Sequence, residues 1–208
     1  PARRLARDLA FMLVATGGIW VMLLDGVVSR VEGGILLAGL AAFLFMAFSS
    51  GSVSQEDDPL ETSIAKAALM TVAGLVFLVI GAHFLVDSAS TIARSFGISE
   101  AVIGLTIVAV GTSLPELATS VIAAYRRQTE IAVGNIVGSN IFNIFGILGT
   151  TALIAPIPSE ARFAMVDMPW AAAAAIGLTV LAFLLGGLPR IAGALLLATY
   201  GGYLWLMG

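Results

Sequence analysis

Between Gly104 and Gly146 lies an apolar stretch that carries one carboxylate, Glu116, among the hydroxyls of Thr112, Ser113, Thr119 and Ser120. A second set of oxygen donors follows at Asn135, Ser139, Asn140 and Asn143. The chain has no cysteine, so the donor set is all oxygen and suits hard cations such as Na⁺ and Ca²⁺. An acid at the middle of a membrane helix costs about 2.5–3.5 kcal/mol on insertion scales, and such a residue usually faces a cavity and has a task there. Pro115, directly before Glu116, has no N–H to offer the Gly111 carbonyl, which predicts an irregular helix beside the acid.

The spacing gathers these groups. Ala109, Ser113, Glu116 and Ser120 follow i, i+4, i+7 and i+11, with Thr112 and Thr119 beside that face. Asn135, Ser139 and Asn143 form a polar stripe on the next helix, and the RRQTE turn makes the two helices antiparallel neighbours. The stripes are expected to meet near the membrane midplane, as ion ligands do on the discontinuous helices of secondary transporters. Helix packing is the competing reading, since Ser, Thr and Gly134-xxx-Gly138 all suit close helix contact. Packing does not require an ionisable group at that depth, so Glu116 favours ion binding.

The elements that must hold these residues follow from composition. Of 208 residues 59% are hydrophobic and 11% charged, with mean hydropathy +1.03, far from the composition of a soluble domain. A net charge of −3 without a basic cluster excludes a nucleic-acid partner. Seven apolar runs, roughly 9–28, 33–49, 64–86, 101–124, 131–155, 167–188 and 190–207, each approach the ~20 residues that cross a bilayer. The fold class is therefore an all-α integral membrane protein of about seven transmembrane helices. Arg3, Arg4 and Arg7 give the first run the flank of a signal peptide, but its apolar core is too long and no small-residue cleavage site follows, so it reads as a span.

Residues 1–49 hold two plain helices, 50–63 an acidic linker, and 64–208 a five-helix block with the polar residues inside. With seven spans, Arg3, Arg4, Arg7, Lys66, Arg126, Arg127 and Arg190 share one side, and Arg30, Arg94 and Arg162 the other. That bias places the N-terminus and the 50–63 loop in the cytoplasm and the C-terminus outside. Asp25 and His83 read as interfacial, while Trp20, Trp170, Trp205, Tyr200 and Tyr203 suit anchoring at the membrane surface. Glu56, Asp57, Asp58 and Glu61 lack the spacing of a calcium-binding loop and read as a solvated linker. With one histidine and no cysteine, the chain offers no nucleophile–base pair for an intramembrane hydrolase, so it is not read as an enzyme.

GTSLPELATSV at 111–121 with GNIVGSNIFN at 134–143 closely resembles the second alpha repeat of the calcium/cation antiporter superfamily, which includes sodium/calcium exchangers. The likeness begins at FLVIGAHFLVDSASTIARSFGISEAVIGLTIVAVGTS and extends through the spacing of the later helices. It implies a ten-helix fold of two inverted halves, with the seven runs as helices four to ten and 104–146 as the repeat. It further implies a plasma-membrane antiporter, in a prokaryote the inner membrane, exchanging Ca²⁺ for Na⁺, with the bilayer as surroundings and these ions as transported ligands rather than cofactors. Glu116 becomes the carboxylate common to the Ca²⁺ and Na⁺ sites. Thr112 and Ser113 flank it, Ala109 and Thr112 contribute carbonyls, and Ser139 and Asn143 complete the set from the following helix. Asn143 stands where some members carry Asp, which leaves coupling to K⁺ or H⁺ open. The first alpha repeat is missing here. The chain is accordingly expected to be a C-terminal portion, incomplete as a transporter alone, and to need a separately supplied first half or a homodimer mate. A non-transporting membrane module and a passive channel stand as alternatives.

Overall fold

The structure, a computed structural model, describes residues 2–49, 63–98, 103–184 and 189–207. The acidic cluster of the 50–63 loop lies outside the described residues. Helices dominate because a chain in lipid must satisfy each backbone N–H and C=O within itself. They are α1 (Ala2–Met22), α2 (Arg30–Ser49), α3 (Ile64–Ser95), α4 (Ala109–Thr112), α5 (Leu114–Tyr125), α6 (Thr129–Ile141), α7 (Gly149–Ile154), α8 (Met168–Leu184) and α9 (Arg190–Met207). Three π-helical turns, Gly104–Val108, Phe142–Leu148 and Phe163–Asp167, lead into α4, α7 and α8.

Among the described residues five helices are long and apolar enough to cross a membrane. Thr106–Thr112 and Leu114–Tyr125, bent by 53° at their junction, are together long and apolar enough for a sixth. The last apolar run forms α9, whose 18 residues reach about 27 Å at the helical rise, against a hydrocarbon core of about 30 Å. Within the described residues each of the seven runs is mostly helical, and five of them, or six with the bent pair taken as one, are long and apolar enough to cross a membrane.

The chain folds as two compact units, Pro1–Gly51 with Ile136–Gly208, and Ser52–Asn135. In the first, α1 packs on α8, and α2 lies along α7 and the π turn before it. Small residues permit that approach. A Cβ on Gly33 would stand 2.7 Å from the Leu153 nitrogen and 2.8 Å from the Gly149 carbonyl oxygen, so the two backbones touch directly. Ser29 and Glu32 form a capping box that starts α2. The Glu32 carboxylate accepts from the Ser29 N–H at 2.7 Å and from its hydroxyl at 2.8 Å. The SRVE separator is therefore mostly the first turn of a helix. Two short strands, β1 (Val27–Val28) and β2 (Ile157–Pro158), pair antiparallel and tie together loops far apart in sequence.

In the second unit α3 packs against the turn Gly104–Val108, α4 and α5. The helix continues to Ser95, well beyond the apolar run 64–86, and takes in much of the polar SASTIARSFGIS separator. Ser90 and Ala93, 4% and 5% exposed, lie on its packed side. Burial on one face outweighed local polarity in keeping these turns helical. Phe96 and Gly97 (φ +76°) then end the helix, and the Ile98 N–H returns to the Ala93 carbonyl at 3.1 Å.

Candidate cation site at a helix break

The interruption beside Glu116 has a simple local cause. Four-residue α4 ends at Ser113 (φ −90°, ψ 1°), and α5 begins at Leu114 with Pro115 in its first turn. Proline is well tolerated there, because an N–H in the first turn has no intrahelical acceptor to lose. Glu116 also lies in that turn. Its carboxylate therefore sits at the positive end of a half-helix, an arrangement that stabilises an anion by about 0.3–1 kcal/mol at surface sites.

Glu116 is half-buried, and its Oε2 atom is buried with no hydrogen-bond partner among the described residues. Buried carboxylate oxygens almost always accept a bond, so an orphan one fits a place where a cation belongs. No group of three His, Cys, Asp or Glu side chains gathers among the described residues. A cation held by Glu116 would draw its remaining ligands from neutral oxygens.

Those oxygens are distributed as follows. The Thr112 hydroxyl donates to the Ala109 carbonyl at 3.1 Å, bringing two acceptor oxygens together one turn before the acid. Ser113, exposed, marks the break itself. Ala109, Thr112, Ser113 and Glu116 all belong to the unit Ser52–Asn135. Ser139 and Asn143 belong to the other. The Ser139 hydroxyl donates to the Ile136 carbonyl at 3.1 Å, and Asn143 is the second residue of the π turn Phe142–Leu148, with an exposed side chain. π turns recur at functional sites because they displace the helical register by one residue.

Two residues had a structural part that spacing did not assign. Asn135, read only as a member of the polar stripe, donates from Nδ2 to the Glu116 carbonyl and to the Ser120 hydroxyl, both at 3.0 Å. It ties the middle of α6, at Asn135, to the turn that holds the acid. A polar residue at stripe spacing was the available signal, though the stripe alone could not reveal its partner. Gly111 is the other. A Cβ there would collide with Val86 of α3, so glycine is what allows α3 to lie close against α4.

Gly111→Ala is accordingly expected to lower the thermal stability of the detergent-solubilised chain by about 1–3 kcal/mol, the usual cost of overpacking. Val86→Ala in the same background should recover much of that loss. A single mutant that melts like the parent would show that this contact is not tight.

Apolar helices long enough to cross a membrane, together with a helix broken beside a buried, unpartnered carboxylate oxygen, define an integral membrane protein. Residues 66–208 match the family described as sodium/calcium exchanger protein. The chain belongs to that family. It is 37% identical to the putative antiporter CaxA of Alkalimonas amylolytica, over 97% of this chain and 67% of that protein. It is 53% identical to the sodium/calcium exchanger MaX1 of Methanosarcina acetivorans, over 44% of this chain and 26% of that protein. Among solved structures it resembles the sodium-calcium exchanger NCX_Mj, with a TM-score of 0.77 and 32% identity, covering 95% of this chain and 64% of the other. The chain thus spans about two thirds of the length of CaxA and of NCX_Mj.

Proposed function

We propose that this chain supplies the second half of the ion site of a membrane antiporter that exchanges Ca²⁺ for Na⁺. The observation that carries the reading is the buried, unpartnered Oε2 of Glu116 at the restart of a broken helix. The names of the relatives agree with it, since they describe antiporters and sodium/calcium exchangers.

The physical logic is competition for one charge. Glu116 would serve both ions, with Thr112, Ser113, Ser139 and Asn143 as neutral side-chain ligands and the Ala109 and Thr112 carbonyls as backbone ligands. Ca²⁺ and Na⁺ then cannot occupy that carboxylate together, so loading one displaces the other. An empty site leaves a bare negative charge in low dielectric, which disfavours switching sides unloaded. Mutual exclusion combined with a barrier to the empty switch is what makes exchange obligatory. Ca²⁺ takes about six to eight oxygens and binds more tightly with more carboxylates. The reading therefore includes a partner, a separately supplied first half or a second copy, that contributes another acid.

The functional test is uptake of radioactive Ca²⁺ into vesicles holding the chain with a first half, their assembly verified by co-purification. Saturable uptake driven by an outward Na⁺ gradient supports the reading. Uptake indifferent to the gradient would indicate a channel and overturn it.

The N-terminus and the 50–63 loop are proposed to be cytoplasmic in a plasma membrane, on the strength of the seven-to-three division of basic residues. Cysteine introduced at Gln128, in the turn between α5 and α6, should be labelled from the cytoplasmic side, and cysteine at Ser159, just after β2, from the outside. Labelling of both from one side would refute this topology.

A further inference from the structure

The turn that carries Glu116 is weakly held by its own helix. Ser113 precedes α5 without a side-chain capping bond, and Pro115 has no N–H to offer. The first intrahelical bond of α5 runs from the Leu117 N–H to the Ser113 carbonyl at 2.9 Å. First turns of this kind fray, because their leading N–H groups have no intrahelical acceptor. A ligand must nevertheless be held to within about 0.5 Å of its productive place, so the main chain of Glu116 has to be fixed from elsewhere.

Asn135 supplies that hold. Its Nδ2 donates to the Glu116 carbonyl and to the Ser120 hydroxyl, both at 3.0 Å, so the two protons of one amide span residues i and i+4 of α5. The Glu116 carbonyl can only accept, which fixes Nδ2 rather than Oδ1 as the atom facing it. Asn135, Ser120 and Glu116 are all half-buried, and all belong to the unit Ser52–Asn135. Among the described residues, these two are the side-chain hydrogen bonds that join α5 to α6. Main-chain bonds close the hairpin at its turn. The Gln128 N–H reaches the Ala123 carbonyl at 2.8 Å and the Arg127 N–H reaches the Ala124 carbonyl at 3.0 Å, with Arg127 at φ +60°. This is a Schellman closure with arginine where glycine is usual. It sets the direction in which α6 leaves α5, so the Asn135 amide acts from a rigid support.

We propose that Asn135 is a positioning residue of the cation site, holding the main chain of Glu116 so that its carboxylate keeps the reach and direction that Ca²⁺ and Na⁺ both require. This role rests on Glu116 serving as the shared ligand. Asn135 acts through the Glu116 main chain and not as a ligand. Loss of the amide leaves the charge in place but lets the turn move. Both ions then lose affinity together, while exchange at saturation persists.

Asn135→Leu, close in size and unable to donate, tests this through Na⁺-driven Ca²⁺ uptake in vesicles holding the chain with a first half. The half-saturating concentrations of Ca²⁺ and Na⁺ should each rise about tenfold, the net contribution of one to two such bonds, with the maximal rate per assembled transporter within about twofold of the parent. Ser120→Ala removes one acceptor of the fork and should raise them about threefold, and it carries the same comparison where Asn135→Leu fails to assemble. Hydrogen–deuterium exchange on the purified chain should be faster across 114–120 in Asn135→Leu and unchanged in α3. Maximal uptake reduced in proportion to assembled protein, at unchanged half-saturation, would mean that Asn135 only stabilises the fold and would overturn the proposal. Unchanged exchange across 114–120 would overturn it as well. Glu116→Gln separates this role from the reading beneath it. Uptake abolished in that variant, with parental half-saturation in Asn135→Leu, refutes the positioning role alone, whereas parental uptake in Glu116→Gln refutes both.

Discussion

Replacing Glu116 with Gln is expected to abolish Na⁺-driven Ca²⁺ uptake in the assembled transporter while leaving membrane insertion and folding intact. Glutamine preserves the size of the side chain and removes its charge. Removing one partner of a buried ion pair costs about 3–5 kcal/mol, two to nearly four orders of magnitude in affinity, and the cation is here the partner left behind. The protein itself should not suffer. Inserting a neutral residue is easier than inserting an acid, by up to the ~2.5–3.5 kcal/mol that an ionised group costs at mid-depth. Neither Asn135 bond uses the carboxylate, since one reaches the Glu116 main-chain carbonyl and the other Ser120, so the α5–α6 tie should survive. Membrane yield and monodispersity report folding, and isotope uptake reports function. Uptake at the parental rate would remove Glu116 from the site.

The second large effect concerns the chain without a partner. It is expected to bind Ca²⁺ only in the millimolar range or worse, because the residues assigned here offer one carboxylate where tight sites collect several. The other proposed side-chain ligands, Thr112, Ser113, Ser139 and Asn143, are neutral and add no charge. An added first half should bring a second acid and strengthen binding by several orders of magnitude, as expected when ligand charge count rises in a dry site. Calorimetry on the solubilised monomer, with Glu116→Gln as control, measures the first value, and the co-purified assembly gives the second. Micromolar binding by a proven monomer, lost in the mutant, would mean that the second acid is not required.

Much of this arrangement was legible in the sequence because membrane insertion simplifies its grammar. Apolar runs near 20 residues became helices, and Pro115 announced the break, since a missing N–H allows few outcomes inside a helix. What the residues alone could not show is that the proline would open a fresh half-helix, with Glu116 in its first turn rather than midway along a kinked span. That depends on where the chain turns at Ser113, which no single residue type dictates. Long-range contacts were equally hidden. Gly33 and Gly149 look like two unrelated small residues until their backbones meet, and the pairing of Val27–Val28 with Ile157–Pro158 leaves no local trace. The π turns are hidden for the same reason, because an extra residue in a helical turn is selected by packing rather than by composition. Polarity misled at the end of α3, where Ser88, Ser90 and Thr91 suggested a loop. Ser90 is instead buried within a helix, with its hydroxyl oxygen unpartnered among the described residues.

The central claim is that Na⁺ and Ca²⁺ share the Glu116 carboxylate, and ion competition measures it directly. Radioactive Ca²⁺ bound to the assembled transporter should be displaced by Na⁺ in a strictly competitive manner, with the apparent Ca²⁺ affinity falling as Na⁺ rises and the maximal binding unchanged. Glu116→Gln should bind no Ca²⁺ over the same range. Simultaneous binding of the two ions without mutual displacement, or parental Ca²⁺ binding in the mutant, would contradict it.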